Sequence, residues 1–171
     1  MSLFKTSALL AVSLSMATSA TAAAQSKCVT EAESAAIMAA MMPDLIDGLR
    51  KKCSAHLPTN AYLSQRSTEL VARYRVLADQ RWPTAKLAFG RMTGEPGIAD
   101  KLPDEFFRPM LGAMVGDALV KDVKPHECEG ANRIVESLAP LPPENVAVLI
   151  AAIMTLADRE GRDSAFPICK A

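Results

Sequence analysis

The sequence predicts an all-α fold, an irregular bundle of about six or seven short helices stapled by two disulfides. Three observations predict it. Apolar residues recur at steps of three and four along nearly the whole chain after residue 24, and no period-2 alternation is long enough for a sheet. The cysteines, Cys28, Cys53, Cys128 and Cys169, are four in number, as two bridges require.

The amino terminus predicts export. Lys5 is followed by an apolar stretch from Ala8 to Met16, and small residues lead to Ala22-Ala23-Ala24, a signal-peptidase pattern with cleavage before Gln25. A membrane anchor needs about 20 predominantly apolar residues. Here Ser13, Ser15, Thr18, Ser19 and Thr21 interrupt the run. Cys28 lacks a preceding Leu-x-Gly/Ala, so no lipid attachment is expected either. The organisation is therefore a secretory signal peptide over 1–24 and a single helical domain over 25–171, periplasmic or secreted. That length suffices for one hydrophobic core.

Export makes disulfides the expected state of the four thiols. Of the three possible pairings, Cys28 with Cys53 and Cys128 with Cys169 is favoured, because each bridge would tie a chain terminus to a helix. The preference rests on that tethering, since longer loops would be worth more in chain entropy.

Thr30-Glu31-Ala32-Glu33 is a capping box for the first helix, whose apolar positions are Ile37, Met38, Met41, Leu45 and Leu49. Pro43 makes this a kinked helix or two short ones. Leu57-Pro58-Thr59-Asn60 is a loop ending in a cap. Leu63, Leu70, Tyr74 and Leu77 then form a stripe on a helix to about Arg81, where Trp82-Pro83 is expected to break it and start a short helix with Leu87 and Phe89. Gly90 to Gly97 reads as a long loop with a mobile tip.

Pro103-Asp104-Glu105 opens the next helix with acidic residues suited to its dipole. Pro109 is expected to divide it before Met110, Met114, Ala118 and Leu119. Gly112 and Gly116 share one face, which predicts a close crossing by a neighbouring helix. Pro125 opens a helix carrying Cys128, Ala131, Val135 and Leu138. Leu141-Pro142-Pro143-Glu144 starts the last one. From Val146 to Ala157 only Thr155 is polar, so this helix is expected to be central and buried, ending at Gly161.

The chain has 19 Lys and Arg against 19 Asp and Glu. No basic stripe suggests a nucleic-acid partner, and Arg50-Lys51-Lys52 reads as the positive last turn of a helix. Cys53-x-x-His56 with His126-x-Cys128 would make a Cys2His2 zinc set, but an oxidising compartment favours disulfides over that set. Met38, Met41 and Met42 could offer thioethers to copper, yet methionines at helical spacing fill cores.

The carboxylates Asp104/Glu105, Glu127/Glu129 and Asp158/Glu160/Asp163 read as helix ends. The last group lacks the spacing of a calcium loop. No nucleophile elbow, phosphate loop, dinucleotide fingerprint or Cys-x-x-Cys occurs. No catalytic, cofactor-binding or metal residue is therefore assigned.

Cys28 to Cys53 around a capped helix, Leu141-Pro142-Pro143-Glu144-Asn145 and Phe166-Pro167-Ile168-Cys169 together resemble a set of uncharacterised small exported, disulfide-bonded helical proteins of Gram-negative bacteria. The resemblance implies a periplasmic location and supplies no activity. A looser similarity, in fold class and compartment alone, is to periplasmic immunity proteins of contact-dependent toxin systems.

The function expected is a non-catalytic periplasmic protein-interaction module whose partner is another periplasmic protein. An inhibitor or immunity protein against a toxin or hydrolase is its special case. The competing classes are an unrecognised enzyme and a small apolar-ligand carrier, for which Trp82, Phe89, Phe106 and Phe107 would line the pocket.

Overall fold

A computed structural model of the chain describes residues 27–94, 97, 101–160 and 167–169. The expected signal peptide, most of the tip of the expected glycine loop, Gly161, Asp163 and Phe166 lie outside these residues. Among the described residues six α-helices carry the fold: α1 (Glu31–Cys53), α2 (Tyr62–Gln65), α3 (Ser67–Met92), α4 (Asp104–Val120), α5 (Cys128–Leu138) and α6 (Pro143–Arg159). A single 3-10 turn, Pro125–Glu127, leads into α5. Among the described residues the only β pairing is one parallel bridge, Val29 with Ile168.

The predicted capping box starts α1. The Glu33 backbone N–H donates to Thr30 Oγ1 at 3.2 Å, and the Thr30 N–H donates to a Glu33 carboxylate oxygen at 2.9 Å. Helix α1 then runs unbroken through Pro43 to Cys53. It packs against α3, α4 and α6, so α1 is the axis of the bundle. Ile37, Ala39, Ala40 and Met41 are all within a few per cent of complete burial.

The expected breaks at Pro83 and Pro109 do not occur, and of the two alternatives at Pro43 the single helix is the one formed. Pro43, Pro83 and Pro109 each lie inside a continuous helix. A proline removes one backbone hydrogen bond and clashes with the preceding turn, at about 3 kcal/mol. Burying a large apolar side chain contributes about 1.5–3 kcal/mol. In α3 the buried stripe continues past Pro83 through Ala85, Ala88 and Phe89, with Trp82 just before it, so burial outweighs the break. The loop expected from Gly90 accordingly begins later, as α3 extends to Met92 and Gly94 takes a positive φ, 76°.

The two disulfides are present, but the favoured pairing is wrong. Cys28 bonds Cys169, and Cys53 bonds Cys128. The first joins the two ends of the domain to each other beside the Val29–Ile168 bridge, where Val29 N–H donates to Pro167 O and Cys169 N–H to Val29 O. The second ties the last residue of α1 to the first of α5. Nearby, the Leu63 backbone N–H donates to the buried Asn132 Oδ1 at 2.8 Å, holding α2 on α5. Arg73 donates to the carbonyls of Ala139 and Leu141, which anchors the turn before α6 on α3.

Helix α6 is a further correction: it is not central. Its buried residues are Val146, Ala147, Ala151 and Thr155. Ala39, Leu77 and Ala147 form a small apolar contact of α1, α3 and α6. The larger Val148, Leu149, Ile153 and Leu156 point to solvent. Small side chains let α6 lie close to α1, and that approach turns the bulky ones outward. The hydroxyl of Thr155 donates to Ala151 O at 2.9 Å, so the one polar residue of this stretch is satisfied on the inner face.

Candidate interaction surfaces and a charged groove

The expected crossing at Gly112 and Gly116 is where α4 meets α1. A Cβ on Gly112 would stand 2.2 Å from Asp44 Oδ2, while at Gly116 it would stand 3.6 Å from the Asp44 carbonyl oxygen. The missing side chains therefore let Asp44 rest on α4.

Asp44 opens a shallow groove of about 280 Å³ that also carries Arg75, Asp79 and Arg108, with Pro43 and Pro109 among its walls. Arg108 forms an ion pair with Asp79 and places its guanidinium 5.6 Å from the Trp82 ring centroid, a cation–π contact. Trp82 in turn meets Phe107 at 5.8 Å.

Desolvation against α4 pushes the Asp44 carboxyl up, and this outweighs the pull of Arg108 and Arg75. One turn along α3, Lys86 bonds Asp104 at 2.6 Å and lowers its pKa. The Trp82 indole dipole assists, although its N–H makes no hydrogen bond of normal geometry. Two carboxylates and two guanidiniums line the groove, so its formal charge sums to zero. The Asp79–Arg108 ion pair joins α3 to α4 there.

Residues singled out by sequence fall as follows. His56 and His126 are exposed beside the Cys53–Cys128 disulfide, whose sulfurs are consumed by each other, so the zinc set is not formed. Among the described residues no cluster of three or more His, Cys, Asp or Glu could hold a metal. Met38, Met41 and Met42 are buried, Met41 and Met42 within the apolar clusters, with no thioether presented to solvent. Glu127 accepts from the Lys124 N–H at 2.8 Å and belongs to a helix start.

Trp82, Phe89 and Phe107 belong to the core around α1, while Phe106 is 73 % exposed. The four aromatics do not share a cavity. The cleft between α1, α3 and α6 holds about 170 Å³, lined by alanines of α1 with Leu77, Ala147 and Val148. Ligand pockets usually hold at least about 300 Å³; open grooves of about 300 Å³ beside Asp47, Arg50 and Arg75 and of about 320 Å³ beside Arg73, Gln80 and Glu144 reach that size.

What sequence reasoning missed is the apolar surface. On α4, Phe106, Met110 and Met114 recur every four residues and are all exposed. On α6, Leu149, Ile153 and Leu156 recur at steps of four and three over two turns and are exposed, as is Val148 beside them. Both stripes are legible in the sequence as apolar periodicity, but nothing in their spacing distinguishes an outward face from an inward one. No helix among the described residues is long and apolar enough to cross a membrane, so these faces are not one side of a spanning segment. The two disulfides fit an oxidising compartment. Comparison with protein-family models, with curated proteins and with solved structures found no match.

Proposed function

We propose that the protein is a non-catalytic interaction module of the periplasm. The observation that carries this reading is the exposed apolar surface of α4 and α6, two helices that pack on α1 and are held by a disulfide-bonded frame. Contiguous exposed apolar surface on a water-soluble domain marks interaction sites. Rigid helices present such a surface at little entropic cost. On α4 the pair Met110 and Met114 beside Phe106 suits a protein partner, because methionine adapts its shape to what it meets. The charged groove is internally neutralised and the α1–α3–α6 cleft is small, which supports binding over chemistry.

The test is affinity capture of the tagged, disulfide-bonded chain from native periplasm, run beside a Phe106→Ser/Met110→Ser variant. The reading expects a stoichiometric protein partner with the wild type and its loss with the variant, at unchanged helicity and melting temperature. Repeated failure of the wild type to retain a partner, cross-linking included, would count against it. A single toxin or hydrolase as the retained partner would identify the inhibitor or immunity case.

A further inference from the structure

We propose that Met110 and Met114 of α4 are a methionine oxidation site, at which peroxide turns an apolar face of the protein polar without disturbing its core. The effect of that change on a partner rests on the interaction reading; the modification itself does not.

The sulfur chemistry of the chain narrows to these two residues. All four cysteines are consumed in disulfides and no free thiol is left, so the oxidisable sulfur that remains is thioether. Met38, Met41 and Met42 are buried, and Met92 and Met154 are half-buried. Met110 and Met114 are 51 % and 60 % exposed, and among the described methionines they alone are exposed. An oxidant meets them in the folded state, whereas a core thioether has to wait for local opening.

They also stand together. Phe106, Met110 and Met114 recur every four residues, so oxidation changes one continuous strip of α4. Phe107 and Leu111, which anchor the same helix in the core, carry no sulfur. In the step itself a lone pair of the methionine Sδ attacks one oxygen of hydrogen peroxide. The S–O bond forms as the O–O bond breaks, and the proton of the transferred hydroxyl passes to the departing hydroxide. Sulfur loses two electrons, peroxide gains them, and the products are a sulfoxide and water. A methionine sulfoxide reductase reverses it: two thiols become a disulfide and the oxygen leaves as water. Each S=O group demands a hydrogen-bond donor that an apolar partner surface does not supply, so oxidation should release such a partner.

The experiment treats the disulfide-bonded chain purified from the periplasm with hydrogen peroxide and maps sulfoxides by mass spectrometry over time. Beside it runs Met110→Leu/Met114→Leu, which keeps the bulk and apolarity of the strip but has no sulfur there to oxidise. Sulfoxide should form at Met110 and Met114 more than about tenfold faster than at Met38, Met41 and Met42, with unchanged circular dichroism. The oxidised wild type should elute earlier from a phenyl matrix, the peroxide-treated leucine variant should not, and methionine sulfoxide reductase should restore the wild-type elution. Equal rates at all five methionines, loss of helicity as Met110 and Met114 oxidise, or an equal elution shift in the leucine variant would overturn the proposal. Capture from native periplasm then separates the two readings. A partner held about tenfold more weakly by the oxidised wild type, and undiminished on the treated leucine variant, supports both. A partner held equally by oxidised and untreated wild type overturns the effect on binding. No partner on either chain counts against the interaction reading, while the sulfoxide map and the phenyl matrix still decide the modification.

Discussion

Removing the Cys53–Cys128 bridge by Cys53→Ala/Cys128→Ala should destabilise the domain severely while leaving no free thiol. The two cysteines are 75 residues apart in sequence and both are almost wholly buried, at 0 % and 1 % exposure. The chain-entropy relation makes a closure of that length worth about 4.5 kcal/mol. A domain of this kind has about 5–15 kcal/mol in total, so a third or more of its stability is at stake.

For a chain of this size each kcal/mol corresponds to roughly 2–4 °C. The melting temperature, followed by far-UV circular dichroism, should fall by about 10–18 °C, with a matching shift of the urea midpoint. Non-reducing peptide mapping of the wild type should recover the end of α1 linked to the start of α5. A variant melting within about 3 °C of wild type, or a map linking Cys28 to Cys53, would refute the reasoning.

Glycine substitutions should separate by what a Cβ would meet. Gly130 in α5 has no atom within 4 Å of that position, so Gly130→Ala should stabilise by about 0.5–1 kcal/mol in urea unfolding. Gly112→Ala should give no such gain, because its Cβ would displace the Asp44 carboxylate; in an Asp44→Ala background it should become neutral or stabilising.

Burial pushes the Glu33 carboxyl up, but Arg91, at 2.5 Å, and the Thr30 N–H and hydroxyl pull it further down, to a net value below the ordinary 4.5. A lowered folded-state pKa contributes stability above the unfolded value and loses it as pH falls through the folded one. Stability should therefore drop below about pH 4.5, and Glu33→Gln should flatten that part of the profile by less than about 1 kcal/mol.

Local chemistry was readable wherever neighbours in sequence are neighbours in space. Thr30 and Glu33 cap α1 because a capping box needs only one turn. Gly112 and Gly116 announced a close crossing because only a packing partner justifies glycine at two positions on one helical face. Pro83 and Pro109 misled because the lost hydrogen bond is local, whereas the burial that outweighs it comes from other helices.

The cysteine pairing failed for a related reason. Cys28 meets Cys169 through a bridge between segments 141 residues apart, one before α1 and one after α6, and no local pattern records it. The matching placement of His56 and His126 beside Cys53 and Cys128 was the one sequence sign that these two cysteines come together. Helix α6 misled most. An unbroken apolar run contains no polar face to mark the outside, and the direction is set by Ala147 and Ala151, whose small size lets that face sit on α1. The groove of Asp44, Arg75, Asp79 and Arg108 was invisible because its charges come from three helices.

The proposed interaction surface depends on α6 and α4 keeping large apolar groups outside the folded core, and α6 is where that departs furthest from the sequence expectation. The direct measurement is the unfolding free energy of Leu149→Gln/Ile153→Gln/Leu156→Gln, taken by urea denaturation at a protein concentration where the wild type is monomeric. Surface substitutions usually change stability by about 0.5 kcal/mol or less each, so the triple variant should fold and remain within about 1.5 kcal/mol of wild type. If instead these three side chains were core residues, losing their burial would remove about 5–9 kcal/mol and leave little or no folded protein, which would contradict the outward placement of the face.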